Sequence, residues 1–457
     1  MSVINTQPLV GASGQSTGYT LSKSLRFRSS ASAYLSRTPA SAGNQQKWTY
    51  SAWLKLGNLA ANGMTILSGG TSSRVALYLN TSAQLVTDVA GVGAFDTSSA
   101  VYRDPAAWYH LVWQFDTTQA TAANRSRMYI NGSQITLTQT NAWALNTNYN
   151  INNGTLQTIG TFANATTIYL YDGYMANVQF IDGQALTPSS FGATDTTTGA
   201  WQPIAYTGSY GTNGFYLPFT NTTSTATLGN DSSGNSNTWT VNNISLTAGA
   251  TYDSMTDVPT LTSATAANYA TLNPLFTNTG ASNTFYYGNL ELASNSNTVN
   301  SFAPSTIAMS SGKFYFEATA GLVNAVTGMS VGVYKLPILN GTNFYAQTNY
   351  RYYSVDGKVY DASTFVQTYN TYTNAAVIGV ALDLTNGKVY FAKNNTWQGS
   401  SDPVAGTSPA ATGLTGDWVF GLNVGNTNND YAFANFGQQP FTYTPPSGYV
   451  ALNTYNL

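Results

Sequence analysis

The sequence contains no cysteine and very little charge. Only 7% of its 457 residues are Asp, Glu, Lys or Arg, whereas about 25% is usual in soluble proteins. Without cysteine, neither disulfides nor thiolate metal ligands are available. The net charge is −2 and the basic residues are scattered, so we expect no binding to nucleic acid. We interpret the densest basic group, Lys23, Arg26 and Arg28, as solvent-facing positions that alternate along a first strand.

Long apolar runs and helical patterns are missing as well. No run approaches the roughly 18 apolar residues of a membrane span, and we expect no membrane association. The first twenty residues show no basic region followed by an apolar stretch, so they do not resemble a signal peptide. No segment combines a 3.6-residue apolar period with helix caps; the best helical candidate, residues 263–269, is short. The sequence therefore predicts a cytoplasmically made protein without long helices.

Aromatic residues and period-2 alternation are abundant instead. The chain has 32 Tyr, 20 Phe and 9 Trp, enough to bury a core and to exclude disorder. Residues 48–56, 75–79 and 109–115 alternate as half-buried strands do. Asn131-Gly132 and similar Asx-Gly pairs predict tight hairpin turns. The prediction is an all-β protein with two antiparallel β-sandwich (jelly-roll, lectin-like) domains in series.

Changes in this pattern suggest four segments. Residues 1–20 are polar and Gly-rich without alternation, and we interpret them as an N-terminal docking arm. Residues 21–247 form the first sandwich. Residues 248–280, where Thr, Ala, Asn and two prolines replace the strand pattern, form a linker. Residues 281–457 form the second sandwich.

The first predicted sandwich contains three motifs in order, WTYSAWLK (48–55), WYHLVWQFD (108–116) and YDGYMANVQFIDGQALTPSSFG (171–192). Their order resembles the strand order of the laminin-G-like, concanavalin A-like jelly rolls. We expect Trp53, Trp113 and Phe115 on inward-facing positions of this sandwich.

The second predicted sandwich contains the motifs KFYFEA (313–318), VGVYK (331–335), YSVDGKVY (353–360) and NFGQQPF (435–441). With these motifs it resembles a SPRY domain. The most specific stretch is VIGVALDLTNGKVYFAKNN (377–395), in which Asn386-Gly387 marks a hairpin turn.

A laminin-G-like domain followed by a SPRY-like domain resembles structural proteins of tailed bacteriophages. This resemblance implies a virion protein exposed on the particle surface, with the arm contacting other virion proteins, and we expect a homo-oligomer. The implied function is a tail fibre or adhesin that binds host-surface glycan. The alternative is a capsid decoration protein that stabilises the shell, and a glycan hydrolase is a third reading.

Residues with catalytic chemistry are sparse, and we predict no enzyme, no catalytic residues and no cofactor. Most glycosidases need two carboxylates, but Glu291 and Glu317 are the only glutamates and share no strand. Aspartates could substitute for them, but we interpret most of these as turn residues. A catalytic triad would have to use His110, the single histidine, which we interpret as a structural strand residue. The loop at residues 229–237 has oxygen ligands for calcium but lacks acidic density. We therefore predict no metal site, with a loop calcium as the alternative.

Ligand binding is better supported than catalysis. Aromatic faces with amide and hydroxyl groups on scaffolded loops suit sugar recognition. By resemblance, SPRY domains bind partners through loops of this kind. The predicted ligand-binding residues of the second domain are Tyr350, Tyr352, Tyr353, Asn394, Asn395 and Trp397.

Overall fold

The computed structural model describes residues 18–57, 63–277, 283–294, 300–323, 328–339, 347, 349–362, 364–425 and 430–457. Throughout these residues the chain forms antiparallel β-sheets joined by loops and short 3-10 turns, without an α-helix. Consequently, no helix of this described part is long and apolar enough to cross a membrane. The all-β prediction is confirmed. Residues 1–17 of the predicted docking arm lie outside the described residues.

Contacts divide the chain into two compact units. The N-terminal unit contains the described residues 18–247 and 251–262. The C-terminal unit contains residues 248–250 and the described residues from 263 to 457. Residues 251–262, which the sequence suggests as part of a linker, therefore pack within the N-terminal unit.

The N-terminal unit has eighteen strands in the described residues. They are β1 (Ser24–Phe27), β2 (Tyr34–Arg37), β3 (Lys47–Leu56), β4 (Met64–Gly69), β5 (Val75–Leu79), β6 (Leu85–Val89), β7 (Gly93–Ser98), β8 (Trp108–Asp116), β9 (Ser126–Ile130), β10 (Ser133–Gln134), β11 (Leu137–Gln139), β12 (Gln157–Ile159), β13 (Gly173–Asp182), β14 (Gly192–Thr194), β15 (Trp201–Pro203), β16 (Phe215–Leu217), β17 (Thr240–Asn242) and β18 (Ser254–Met255). The 3-10 turns are Ser29–Ala31, Ala122–Asn124, Pro188–Ser190 and Ala226–Gly229.

Two eight-stranded sheets enclose the core of this unit. The first has the order β10-β9-β8-β3-β13-β1-β18, with β16 also pairing with β13, and the second has the order β11-β7-β6-β5-β4-β12-β2-β17. Strands β14 and β15 form a separate pair. Residues of both large sheets contribute to one buried core, as expected of a β-sandwich.

Period-2 alternation explains which side chains of β3 face this core. Trp48 and Tyr50 lie in the core, where Trp48 packs against Trp113 and Phe115 with ring centroids 4.7 Å away in each case. The expectation for Trp113 and Phe115 is confirmed, but that for Trp53 is wrong. Being an odd number of residues from Trp48, Trp53 projects from the opposite face of the strand, where it stacks on His110 at 4.8 Å.

Part of the outer face of the first sheet is covered by residues 251–262. Arg26 and Arg28 are buried, and their Nε atoms lie 3.0 and 2.9 Å from Asp253 Oδ1. Lys55 is also buried, with Nζ 2.7 Å from Asp257 Oδ2. The interpretation of Arg26 and Arg28 as solvent-facing is therefore wrong. Alternation correctly separates them from the core, but the carboxylate that covers them comes from a distant part of the sequence.

The C-terminal unit has thirteen strands in the described residues. They are β19 (Asn283–Tyr286), β20 (Glu291–Ser294), β21 (Ser301–Pro304), β22 (Lys313–Leu322), β23 (Met329–Lys335), β24 (Tyr350–Ser354), β25 (Lys358–Asp361), β26 (Thr364–Thr368), β27 (Val377–Asp383), β28 (Lys388–Lys393), β29 (Thr396–Trp397), β30 (Trp418–Val424) and β31 (Tyr431–Asn435), with a 3-10 turn at Gln398–Ser400. One sheet has the order β19-β20-β31-β22-β27-β28-β29 and the other β21-β30-β23-β24-β25-β26.

The two sheets of this unit pack against each other through aromatic rings. Phe316 of β22 stacks on Phe420 of β30 at 4.9 Å, and Phe436 lies 4.9 Å from Phe316. On the other face of β22, Glu317 is buried and accepts backbone hydrogen bonds from Thr442 N (2.8 Å) and Tyr443 N (2.9 Å). A late segment of the chain is therefore tied across the outer face of this sheet.

Candidate functional site

The three tyrosines of the predicted ligand site are buried in a strand rather than displayed on a loop. Tyr350, Tyr352 and Tyr353 belong to β24, and their exposed fractions are 2%, 4% and 0%. Tyr350 and Tyr352 pack in an aromatic layer with Tyr334. Tyr353 faces the other way and lies 5.9 Å from Phe391 of the opposite sheet. The expectation that these rings stand on accessible loops is wrong.

The other three predicted residues lie on and beside the β28–β29 hairpin. Asn394 and Asn395 are exposed and have φ values of 46° and 67°. Two consecutive residues with positive φ form the primed turn that a two-residue hairpin requires, and asparagine tolerates that conformation. Trp397 is partly buried against a cluster that includes Tyr390. The structure thus separates the six predicted residues into a core group and a hairpin group.

His110 forms a buried contact between two tryptophans in the N-terminal unit. Its ring stacks with Trp53 and Trp201, and Trp201 Nε1 donates a hydrogen bond to His110 Nδ1 (2.9 Å). The ring proton must therefore sit on Nε2, which lies 2.9 Å from Ser51 Oγ. Burial lowers the pKa of His110 to about 3. A neutral ring with its proton facing the hydroxyl cannot act as the base that activates Ser51.

The loop considered for calcium is organised by its own hydrogen bonds. Asp231 Oδ1 accepts from the backbone amides of Tyr216 and Ser233, each at 2.8 Å. Its Oδ2 accepts from Ser233 Oγ (2.8 Å) and from the Asn237 amide (2.7 Å). Across the described ranges, no group of three or more His, Cys, Asp or Glu side chains is placed to hold a metal ion. The carboxylate therefore serves to shape the loop.

A group of partly exposed aromatic rings lies on the outer face of the first sheet. We call Tyr19, Tyr206, Tyr210 and Tyr216 the tyrosine cluster. The rings of Tyr210 and Tyr216 stack with an interplanar angle of 12° at 6.4 Å, and Tyr206 meets Tyr210 edge-on at 5.1 Å. The hydroxyls of Tyr19 and Tyr216 are 2.8 Å apart. Burial raises the pKa of all four phenols, so they remain neutral.

Two amides of β13 lie beneath the tyrosine cluster. The Tyr19 hydroxyl donates to Asn177 Oδ1 (3.1 Å), and the Tyr210 hydroxyl donates to Gln179 Oε1 (3.0 Å). Asn177 has a φ of 51° at a register shift between β13 and β3, and such bulges re-aim side chains next to functional sites. Asn177 Nδ2 is buried and has no hydrogen-bond partner in the described part of the chain. The cluster and these two amides together offer aromatic faces with hydroxyl and amide groups, and none of these six side chains carries a charge.

The sequence pattern could not identify this cluster, because its tyrosines and the amides beneath them come from three distant segments. Tyr19 ends the predicted arm, Asn177 and Gln179 lie in β13, and Tyr206 to Tyr216 follow β15. The available local signal is the run YTGSYGTNGFY at residues 206–216, in which tyrosines recur among glycines. That run indicates an aromatic loop but not the strand on which it packs.

Comparisons with known proteins agree with this architecture. A family model described as the concanavalin A-like lectin/glucanases superfamily matches residues 29–192, and the SPRY domain model matches residues 313–404. The chain carries a laminin-G-like domain followed by a SPRY domain. No curated protein matches it.

Several solved structures resemble parts of the chain. The SPRY domain of human HERC1 has 15% identity and a TM-score of 0.28, covering 34% of this chain and 91% of its own. The TRIM65 PSpry domain has 12% identity and a TM-score of 0.27, covering 36% and 89%. A native heptameric SAP-like pentraxin from Limulus polyphemus has 15% identity and a TM-score of 0.28, covering 40% and 87%. At TM-scores this low, these likenesses carry no argument about function.

The two glutamates lie on one sheet in the C-terminal unit that contains the SPRY domain. Glu291 of β20 and Thr319 of β22 both pair with Phe433 of β31, from opposite sides, so their side chains project from the same face of the sheet. Glu317 lies two residues before Thr319 on β22 and therefore projects from that face as well. Glu291 lies on β20 and Glu317 on β22, which confirms the expectation that the two glutamates share no strand. Only β31 lies between these two strands. Glu317 nevertheless has both carboxylate oxygens engaged by backbone amides. Its present role is to hold the segment that covers it.

Proposed function

We propose that this protein is a non-enzymatic surface component of a tailed-bacteriophage virion that binds host-surface glycan through the tyrosine cluster. The supporting observation is the partly exposed surface formed by the stacked rings of Tyr210 and Tyr216, with the Gln179 amide accepting from the Tyr210 hydroxyl. Aromatic rings give a sugar an apolar face to pack on, while hydroxyls and amides supply directional hydrogen bonds. The buried Asn177 amide accepts from the Tyr19 hydroxyl (3.1 Å) and helps to fix the orientation of that hydroxyl at the edge of the surface.

The virion part of the proposal rests on the order of the two domains, which resembles that of phage structural proteins. The arm at residues 1–20 would contact other virion proteins, and the sandwiches would lie at the particle surface. A homo-oligomer would present several tyrosine clusters at once, and such multivalency strengthens weak contacts.

The glycan-binding proposal is tested by substitution at Tyr210. We expect the full chain to bind at least one polysaccharide on an array of bacterial surface glycans. Tyr210→Ala should weaken that binding by about tenfold or more, equivalent to roughly 1.4 kcal/mol, because it removes the ring that stacks on Tyr216 and meets Tyr206 edge-on. Tyr210→Phe should retain most of the affinity, since it keeps the ring. Tyr455→Ala, at an exposed tyrosine of the C-terminal unit, is the matched control.

Other outcomes contradict particular parts of the proposal. Equal binding by wild type and Tyr210→Ala, with both folded by circular dichroism, would remove the tyrosine cluster as the site. Release of reducing sugar that Glu317→Gln abolishes would establish a hydrolase instead. Antibody labelling of virions distinguishes the locations: label at tail fibres supports an adhesin, label over the head indicates capsid decoration, and no label overturns the virion assignment.

A further inference from the structure

A separate cavity of about 510 Å³ lies at a lateral edge of the N-terminal unit. Here the chain leaves β10, the edge strand of one sheet, and crosses to β11, the edge strand of the other. Ligand pockets of proteins commonly measure roughly 300–1,000 Å³. The lining residues include Ser126, Gln134, Ile135, Thr136, Leu137 and Gln139.

The lining combines an apolar side with a polar rim. Ile135 and Leu137 are partly buried and pack against the hydrophobic core. Gln134 and Thr136 are exposed and present an amide and a hydroxyl. None of the lining residues carries a charge. The cavity therefore suits a neutral ligand that has both an apolar face and hydroxyl groups.

A buried carboxylate holds two of the lining side chains in position. Asp96 Oδ2 accepts from Ser126 Oγ (2.7 Å), and Asp96 Oδ1 accepts from Gln139 Nε2 (3.1 Å). Trp143 Nε1 also donates to Asp96 Oδ2 (2.8 Å). Gln139 donates its nitrogen to Asp96, and among the described residues no hydrogen bond is donated to its Oε1. The lining thus contains an acceptor whose orientation is set before any ligand arrives.

We propose that this cavity binds a single ring of a neutral sugar, as a second site distinct from the tyrosine cluster. The proposal rests on glycan binding as the general function and adds the ligand class and a second location. The ring would pack its apolar face on Ile135 and Leu137 and donate a hydroxyl to Gln139. An acidic sugar would place its carboxylate in a cavity whose lining offers no cation, above the buried Asp96, and should bind less well.

The experiment compares two tryptophan substitutions in the full chain. Glucose, galactose, N-acetylglucosamine, maltose and glucuronic acid are tested one at a time by saturation-transfer NMR and titration calorimetry. Thr136→Trp places a large ring in the cavity, whereas Thr138→Trp alters an exposed residue of β11 outside the lining. We expect at least one neutral sugar to bind wild type and Thr138→Trp, and Thr136→Trp to weaken that binding by about tenfold or more.

Tyr210→Ala separates this inference from the proposed function. It should leave the binding of the simple neutral sugar unchanged, because Tyr210 does not line the cavity. If polysaccharide binding depends on Tyr210 but Thr136→Trp weakens the binding of no simple sugar, the cavity site alone is overturned. Absence of binding to every saccharide overturns both. Tighter binding of glucuronic acid than of any neutral sugar also overturns the assignment of ligand class.

Discussion

The two units solve the same structural problem with different chemistry. In each, a later segment of the chain lies across the outer face of a sheet, and a buried carboxylate forms the tie. In the N-terminal unit, Asp253 is held by the side chains of Arg26 and Arg28. In the C-terminal unit, Glu317 is held by the backbone amides of Thr442 and Tyr443, with the Tyr315 hydroxyl at 3.2 Å. We call the contact of Asp253 with Arg26 and Arg28 the ionic tie. We call the contact of Glu317 with the amides of Thr442 and Tyr443 the neutral tie, because its donors carry no charge.

This difference determines how each tie responds to the loss of a charge. Removing one member of a buried ion pair leaves its partner charged and without compensation, which costs more than the pair itself contributes. Neutral donors lose less when their acceptor weakens, because no buried charge is left behind. The ionic tie should therefore lose more stability than the neutral tie when its carboxylate is replaced by a neutral side chain.

The largest effect is expected for Asp253→Asn. The change removes the carboxylate that the buried guanidinium groups of Arg26 and Arg28 both contact, and we expect a loss of about 3–5 kcal/mol in the free energy of unfolding. Urea unfolding followed by tryptophan fluorescence measures it, since most of the nine tryptophans lie in this unit.

A more exposed ion pair of the same unit provides the control. Lys47 is 36% exposed and contacts Asp116 at 3.2 Å, and Lys47→Met should cost about 1 kcal/mol or less. Equal losses for Lys47→Met and Asp253→Asn would show that burial does not distinguish the two pairs.

A smaller loss is expected for Glu317→Gln. Gln offers one acceptor oxygen and one amide group in place of two acceptors, so one of the two backbone amides loses its partner. We expect a loss of about 1–3 kcal/mol, measured near neutral pH by urea unfolding. Asp361→Asn, which breaks an ion pair with Arg351 in which Asp361 is 40% exposed, should be close to neutral. A loss for Glu317→Gln greater than that for Asp253→Asn would reverse the proposed order of the two ties.

Much of the sheet architecture could be predicted from sequence because strand alternation and turn chemistry are local. Strand β5 occupies residues 75–79 as predicted, and Asn131-Gly132 adopts positive φ at both residues between β9 and β10. The Asn386-Gly387 turn likewise lies between β27 and β28. These features depend on residues that are neighbours in the chain.

What covers a sheet could not be predicted, because the covering segment is distant in sequence. Alternation placed Arg26 off the core face, but it did not indicate that Asp253 would bury it. Similarly, Tyr350 lies on a face that Phe276 and its neighbours help to cover, so an aromatic strand was interpreted as an accessible loop. The tyrosine cluster was missed for the same reason, since Tyr19 and Tyr216 meet only in the folded unit.

The smallest expected effect concerns the pH dependence of the Glu317 tie. Burial is the largest influence on this carboxyl and raises its pKa above the ordinary value of 4.5, although its hydrogen bonds act in the opposite direction. Between the ordinary pKa and the raised one, the folded chain binds more protons than the unfolded chain, so stability falls as the pH rises through that window. The stability of wild type relative to Glu317→Gln should therefore be greatest below about pH 4.5 and decrease towards neutral pH.

Urea unfolding of both proteins across this range measures the difference. A wild-type advantage that grew with pH would show that the amides of Thr442 and Tyr443 outweigh burial, and the neutral tie would then resemble the ionic one.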